Sequence, residues 1–141
     1  MPTASPVPAA SPAQAPAAPA RSADVRTAIA RASEKTGVDF DYLLAQARLE
    51  SGLDPDAKAR TSSATGLYQF IDSTWLRTMD RHGSKYGYAW ASDRIDPRGG
   101  VSDAGTRAQL LSLRYDADTS ALMAAELARE NTDGLRGVLG R

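Results

Sequence analysis

The sequence predicts an all-α, or mainly α, domain behind a disordered Pro/Ala-rich N-terminal segment. Apolar residues recur at three- and four-residue spacing in several stretches. Cap and stop residues bound those stretches. No alternation of apolar and polar residues is long enough for a useful strand, and there is no internal repeat. The length of 141 residues favours one domain.

Residues 1 to 20 contain only Met, Pro, Thr, Ala, Ser, Val and Gln, with no charge and no aromatic ring. Such a stretch cannot bury enough apolar surface to offset its ordering entropy. Residues 1–21 are therefore expected to be a linker or tail, and 22–141 the folded domain. Ser22 is the first cap candidate, followed by Val25, Ala28, Ile29 and Ala32 at helical spacing, with Gly37 as the stop. Asp39 caps a second helix from Phe40 to Ser51, closed by Gly52 and Pro55. Residues 54–66 read as a loop. Asp72 to Trp75 opens a helix reaching about Arg81. Residues 83–102, with four glycines, read as a long connection. Ser102 or Asp103 caps a helix to about Arg114. Asp118 or Thr119 caps another, with Leu122, Met123, Leu127 and Ala128 as its apolar positions. A short last helix is expected near Asp133 to Leu139. The sum is five or six helices.

Lys plus Arg and Asp plus Glu both number 17, so the formal net charge is zero. No basic face suggests nucleic acid. No apolar run approaches the ~20 residues that span a bilayer. The N-terminus lacks the basic start and Leu-rich segment of a secretory signal, which leaves an export route open. With no cysteine there is neither disulfide nor thiolate chemistry. His82, the only histidine, is a poor basis for a metal site and reads as a surface residue at a helix end. Asp54, Asp56 and Asp72 lack calcium-loop spacing, and no phosphate or dinucleotide fingerprint occurs. No cofactor or metal is expected.

The second helix holds the candidate for chemistry. On a wheel of about 100° per residue, Leu43 and Ala47 define an apolar stripe, and Glu50 extends it. A carboxylate there reads in two ways. It is a structural Glu with a partner, or a half-buried general acid kept protonated by desolvation and by the negative end of the helix dipole.

A resemblance bears on that choice. The segment Arg48-Leu49-Glu50-Ser51-Gly52-Leu53-Asp54-Pro55 resembles the Glu-Ser signature of lytic transglycosylases of the soluble, goose-lysozyme-like type. Ser62-Ser63-Ala64-Thr65-Gly66-Leu67-Tyr68-Gln69-Phe70 resembles that family's second motif, usually Gly-Leu-Met-Gln. The resemblance implies a lysozyme-like fold and action on the glycan strands of peptidoglycan, in the periplasm or envelope. It implies that Glu50 is the sole acid and base, releasing a 1,6-anhydro product with help from the sugar's acetamido group. It also implies substrate binding by Gly66, Tyr68 and Gln69, and by Ser62 or Ser63. Ser51 supports the Glu50 turn and is counted with the binding residues. Tyr88, Trp90 and Tyr115 are candidate sugar platforms, each equally well explained as packing. Phe70 and Trp75 read as core.

The family's third motif, an Ala-Tyr-Asn-like element on a late helix, has no counterpart, since no Tyr-Asn pair occurs. The stretch Leu113 to Asp118 resembles the segment before that motif, and the family would continue beyond Arg141. Two alternatives therefore stand: a hydrolase on the same fold, with Asp93 or Asp96 as second carboxylate, or a non-catalytic glycan-binding module of a flagellar or secretion machine. A monomer is expected.

Overall fold

The computed structural model describes residues 18–138, with side chains described for residues 24–133. Six α-helices follow one another: α1 Ala18–Thr36, α2 Phe40–Ser51, α3 Asp72–His82, α4 Ala89–Arg94, α5 Ala104–Ser112 and α6 Ala117–Val138. Single 3-10 turns at Gly83–Tyr86 and Leu113–Tyr115 lead out of α3 and α5. Only isolated bridges, Lys58 with Thr65 and Thr65 with Phe70, interrupt the helical pattern among the described residues. The mainly α expectation holds.

Local chemistry sets these bounds. The Asp39 carboxylate accepts from the Tyr42 N–H at 3.0 Å and starts α2. Gly52, in the left-handed region at φ 66°, ends it by donating to the carbonyls of Ala47 and Arg48. Asp103 caps α5 through the Thr106 N–H at 2.8 Å. At α6 the cap falls two residues earlier than Asp118: the Asp116 carboxylate takes both the N–H and the hydroxyl of Thr119. α1 is described from Ala18, so it already runs ahead of the expected cap at Ser22. The expected break before Asp133 does not occur; α6 continues to Val138, and Leu139 lies outside the described residues. The 83–102 connection contains the 3-10 turn and α4. α4 is only one and a half turns long and has no side-chain cap, so nothing local announces it. Its fully buried Ala91, and Ser92 donating to the Asp80 carboxylate at 2.8 Å, fix it against α3.

α1 and α6 pack along each other more extensively than any other pair, and Arg31 bridges them to Asp118 at 2.7 Å. The core behind them centres on Trp75, fully buried, with its Nε1–H donating to the Leu110 carbonyl at 2.8 Å. The Phe70 ring meets Trp75 edge-on at 4.9 Å. Ile29, Leu43, Leu67, Leu76, Met79 and Met123 complete it.

α6 also carries a buried charge. Glu126 is 1% exposed. It accepts from the Tyr86 hydroxyl and from Lys85 Nζ at 3.3 Å, and His82 Nδ1 lies 3.6 Å away. Glu130, one turn on, takes a bidentate pair from Arg81 and a contact from His82. His82 is thus not a surface residue; it is inserted between two carboxylates, its side chain 13% exposed. Burial acts to raise the Glu126 carboxyl, but the bonds from Tyr86 and Lys85 and the Lys85 and His82 charges outweigh it and leave it below the usual range. Glu130 is lowered likewise: burial opposes, and the Arg81 and His82 bonds prevail. A depressed folded-state value stabilises the fold above the unfolded value of 4.5 and is lost as pH falls through the folded one. The melting temperature is therefore expected to drop below pH 4.5. Glu126→Gln should cost about 1–3 kcal/mol at pH 7, with a flatter acid limb in a melting series.

Candidate active site

A cleft of about 220 Å³ opens between α2 and α6, with the Tyr68–Ile71 segment as its floor. Tyr42, Gln46 and Glu50 line it from α2; Ala124, Leu127, Ala128 and Asn131 from α6; Tyr68, Gln69, Phe70 and Ile71 from the floor segment, and Thr74 from the first turn of α3. Glu50 is the only carboxylate among these lining residues. Asp93 and Asp96 lie elsewhere, and the Asp96 carboxylate caps its own turn through the N–H groups of Arg98 and Gly100.

Glu50 is exposed, not half-buried as the wheel predicts. A wheel records angle and discards axial position. Leu43 and Ala47 are fully buried in mid-helix, but Glu50 stands on the last turn, where the core has given way to the cleft. Its neighbours along the helix are Gln46 and Tyr42, spaced i, i+4, i+8. Desolvation of this carboxylate therefore has to come from whatever fills the cleft.

The second motif is a tight loop that holds itself together. Gly66 has φ 88°, and a Cβ there would lie 2.1 Å from the Arg114 carbonyl oxygen. Its close approach is thus to the protein's own backbone, where the sequence suggested sugar. Gln69 adopts φ 54°, unusual for a residue with a side chain. Its Nε2 donates to the carbonyls of Gly66 and Ala57 at 2.8 and 3.1 Å. The side-chain amide thus holds the strained turn and leaves Oε1 for the cleft. The Tyr68 hydroxyl donates to the Leu43 carbonyl at 2.8 Å. Burial, helped by the nearby Tyr42, pushes its ionisation far above the usual tyrosine range. Tyr68 therefore offers the cleft its ring, with its hydroxyl already engaged.

The serines serve the same loop and do not line the cleft. Ser51 Oγ donates to the Leu67 carbonyl at 2.7 Å, tying the end of α2 to the second motif. Ser62 Oγ accepts from the Ala64 N–H, and Ser63 Oγ accepts from the Asp72 N–H, which starts α3. The three candidate platforms also lie off the cleft lining. Tyr88 shares a hydrogen bond with Thr119 Oγ1 and packs on the core. Trp90 stands on α4 and Tyr115 on the second 3-10 turn, both partly exposed. The aromatic residue that does face the cleft from α2 is Tyr42, 51% exposed. An exposed ring one turn from Gln46 and two from Glu50 was the signal for it.

Arg114 is the other residue the motifs do not reveal. It is 7% exposed. Its NH1 donates to the Ser63 and Phe70 carbonyls at 2.8 and 3.0 Å and lies 2.9 Å from the Asp72 carboxylate. Its Nε donates to the Leu111 carbonyl at 2.9 Å. One guanidinium thus joins both ends of the loop that floors the cleft.

The cleft offers one carboxylate, three side-chain amides, a threonine and two tyrosine rings. Residues 27–125 match the transglycosylase SLT domain, more than half of the chain, and the chain belongs to that family. Membership implies a transglycosylase acting on peptidoglycan. The match includes Glu50 and the Gly66–Phe70 loop and ends at Ala125, so the cleft wall formed by Leu127, Ala128 and Asn131 lies beyond it. Among the described residues no helix is long and apolar enough to cross a membrane, and no cluster of metal-ligating side chains occurs.

Proposed function

We propose that this protein is a peptidoglycan lytic transglycosylase that cleaves the β-1,4 bond from N-acetylmuramic acid to N-acetylglucosamine. Glu50 is its single acid and base. The observation that carries this reading is the isolation of Glu50 among the residues lining the cleft. A water-using two-carboxylate mechanism needs a second acid across the sugar, and none lines the opposite wall. A substrate that supplies its own nucleophile needs one carboxyl only.

In the proposed cycle the Glu50 carboxyl gives its proton to the glycosidic oxygen, and the bond from that oxygen to muramic C1 breaks. The 2-acetamido oxygen of the same sugar stabilises the positive charge at C1. The Glu50 carboxylate then takes the proton of the 6-hydroxyl, O6 bonds to C1, and the 1,6-anhydro ring closes. Glu50 ends protonated, as it began. A glycan strand in the cleft excludes the water that surrounds Glu50 in the free protein.

The α6 wall also bears on the non-catalytic reading. Leu127, Ala128 and Asn131 on α6 give the cleft that holds Glu50 a wall, although no third motif is present in the sequence. This supports an enzyme over a module that only binds. The proposed setting is the cell envelope, with the domain acting as a monomer; service to a flagellar or secretion machine is one place for it. Digestion of purified sacculi tests the reaction. The expected products carry anhydro-muramic ends, one water lighter than the hydrolytic products and without a reducing end. Reducing muramic ends in the digest would establish the hydrolase instead.

A further inference from the structure

Gln46 stands between Tyr42 and Glu50 on the cleft face of α2. Its Oε1 is buried and has no hydrogen-bond partner among the described residues. Buried side-chain carbonyls are nearly always paired, so an orphan one calls for an explanation. The positions beside it on the helix face supply none: Leu43 and Ala47 are apolar and fully buried. Across the cleft Ala124, Leu127 and Ala128 offer no side-chain donor, and although Tyr42, Gln69, Thr74 and Asn131 line the same cleft, none of them hydrogen-bonds Gln46 Oε1. A ligand entering the cleft can supply the missing partner. We propose that Gln46 is a specificity-determining residue that reads an acetamido group of the bound glycan, one helical turn from Glu50. This rests on the glycan-cleft reading above.

The chemistry favours acetamido over hydroxyl. Both ends of a primary amide find a partner in a secondary amide: its N–H for Oε1, its C=O for Nε2. The terminal torsion of Gln is broad, so the group turns toward a ligand at little cost. An arrangement that leaves the carbonyl unpaired in the free protein and paired in the complex gives up stability in return for selectivity.

The test uses the Glu50→Gln protein, which binds without turnover, and compares it with the Glu50→Gln/Gln46→Leu double variant. Binding of an N-acetylglucosamine tetramer, and of the same tetramer after de-N-acetylation, is measured by calorimetry. Gln46→Leu should weaken the acetylated tetramer up to about tenfold and leave the de-N-acetylated one within about twofold. The same substitution removes an unpaired buried carbonyl, so the melting temperature should hold or rise. A Gln that merely packs predicts no change in binding. Gln46→Met provides a flexible replacement of similar length and should reproduce the result. Equal weakening of both oligomers, or of neither, overturns the inference while leaving the glycan cleft standing. Failure of the Glu50→Gln protein to bind the acetylated tetramer overturns the cleft reading and this inference with it.

Discussion

Glu50→Gln is expected to abolish cleavage of sacculi, lowering turnover at least about 10³-fold, or roughly 4 kcal/mol of barrier. Glutamine keeps the size and the hydrogen-bonding outline of the side chain but can neither give nor take the proton. No second carboxylate lines the cleft to deputise. Glu50 is exposed and the free protein takes no core packing from it, so the melting temperature should stay within the range of ordinary surface substitutions, about 0.5 kcal/mol. Loss of activity with an unchanged melt is the signature of a chemical role. Glu50→Asp sharpens the test. It keeps the acid but withdraws it by one methylene, and misplacement on that scale costs on the order of 100-fold. Residual activity in Glu50→Gln comparable to wild type would remove Glu50 from the chemistry.

What the sequence disclosed follows from how locally each feature is encoded. α2 was readable to the residue because Asp39 and Gly52, its cap and its stop, are its immediate neighbours. Glu50 is legible from the wheel and from a contiguous motif, but the wheel overstates its burial, because burial depends on where the core ends along the helix axis. The second motif was visible as a string, yet its internal wiring was not. Ser51 reaches Leu67, and Gln69 reaches back to Ala57, through contacts that no spacing rule contains. α4 is held by Ala91 and Ser92 against α3, and a helix so dependent on its neighbour leaves little trace in its own residues. Tyr88, Trp90 and Tyr115 are candidates by residue type alone. Type alone does not say which aromatic ring faces the cleft, and Tyr42 is the one on α2 that does.

Arg114 is the extreme case of nonlocal encoding, and its removal should have the largest effect on stability. Its guanidinium contacts Ser63 and Phe70, 51 and 44 residues away in sequence. In Arg114→Met the Ser63, Phe70 and Leu111 carbonyls each lose a charged donor, with Thr65 still donating to Ser63 and Phe70, and Asp72 loses its nearer ion-pair partner. Losing three charge-assisted hydrogen bonds and a close ion pair costs about 3 kcal/mol or more, a fall of roughly 10 °C in melting temperature for a domain of this size. The damage is directed at one place. The carbonyls of Ser63 and Phe70 bracket the Gly66–Gln69 turn, and Gly66 rests on the backbone of Arg114 itself. Cleavage measured well below the melting point should therefore fall as well, because Gln69 and Tyr68 lose their fixed position opposite Glu50. Arg114→Lys keeps one charge for Asp72 but lacks the fork that reaches several oxygens at once, so it should fall between wild type and Met in both readouts. A double-mutant cycle with Asp72→Asn separates the two contributions: coupling accounts for the ion pair, and the remainder for the carbonyls. A Met variant within about 1 kcal/mol of wild type would mean that the loop holds its shape through Gln69 and Gly66 alone, and that Arg114 does not secure the floor of the cleft.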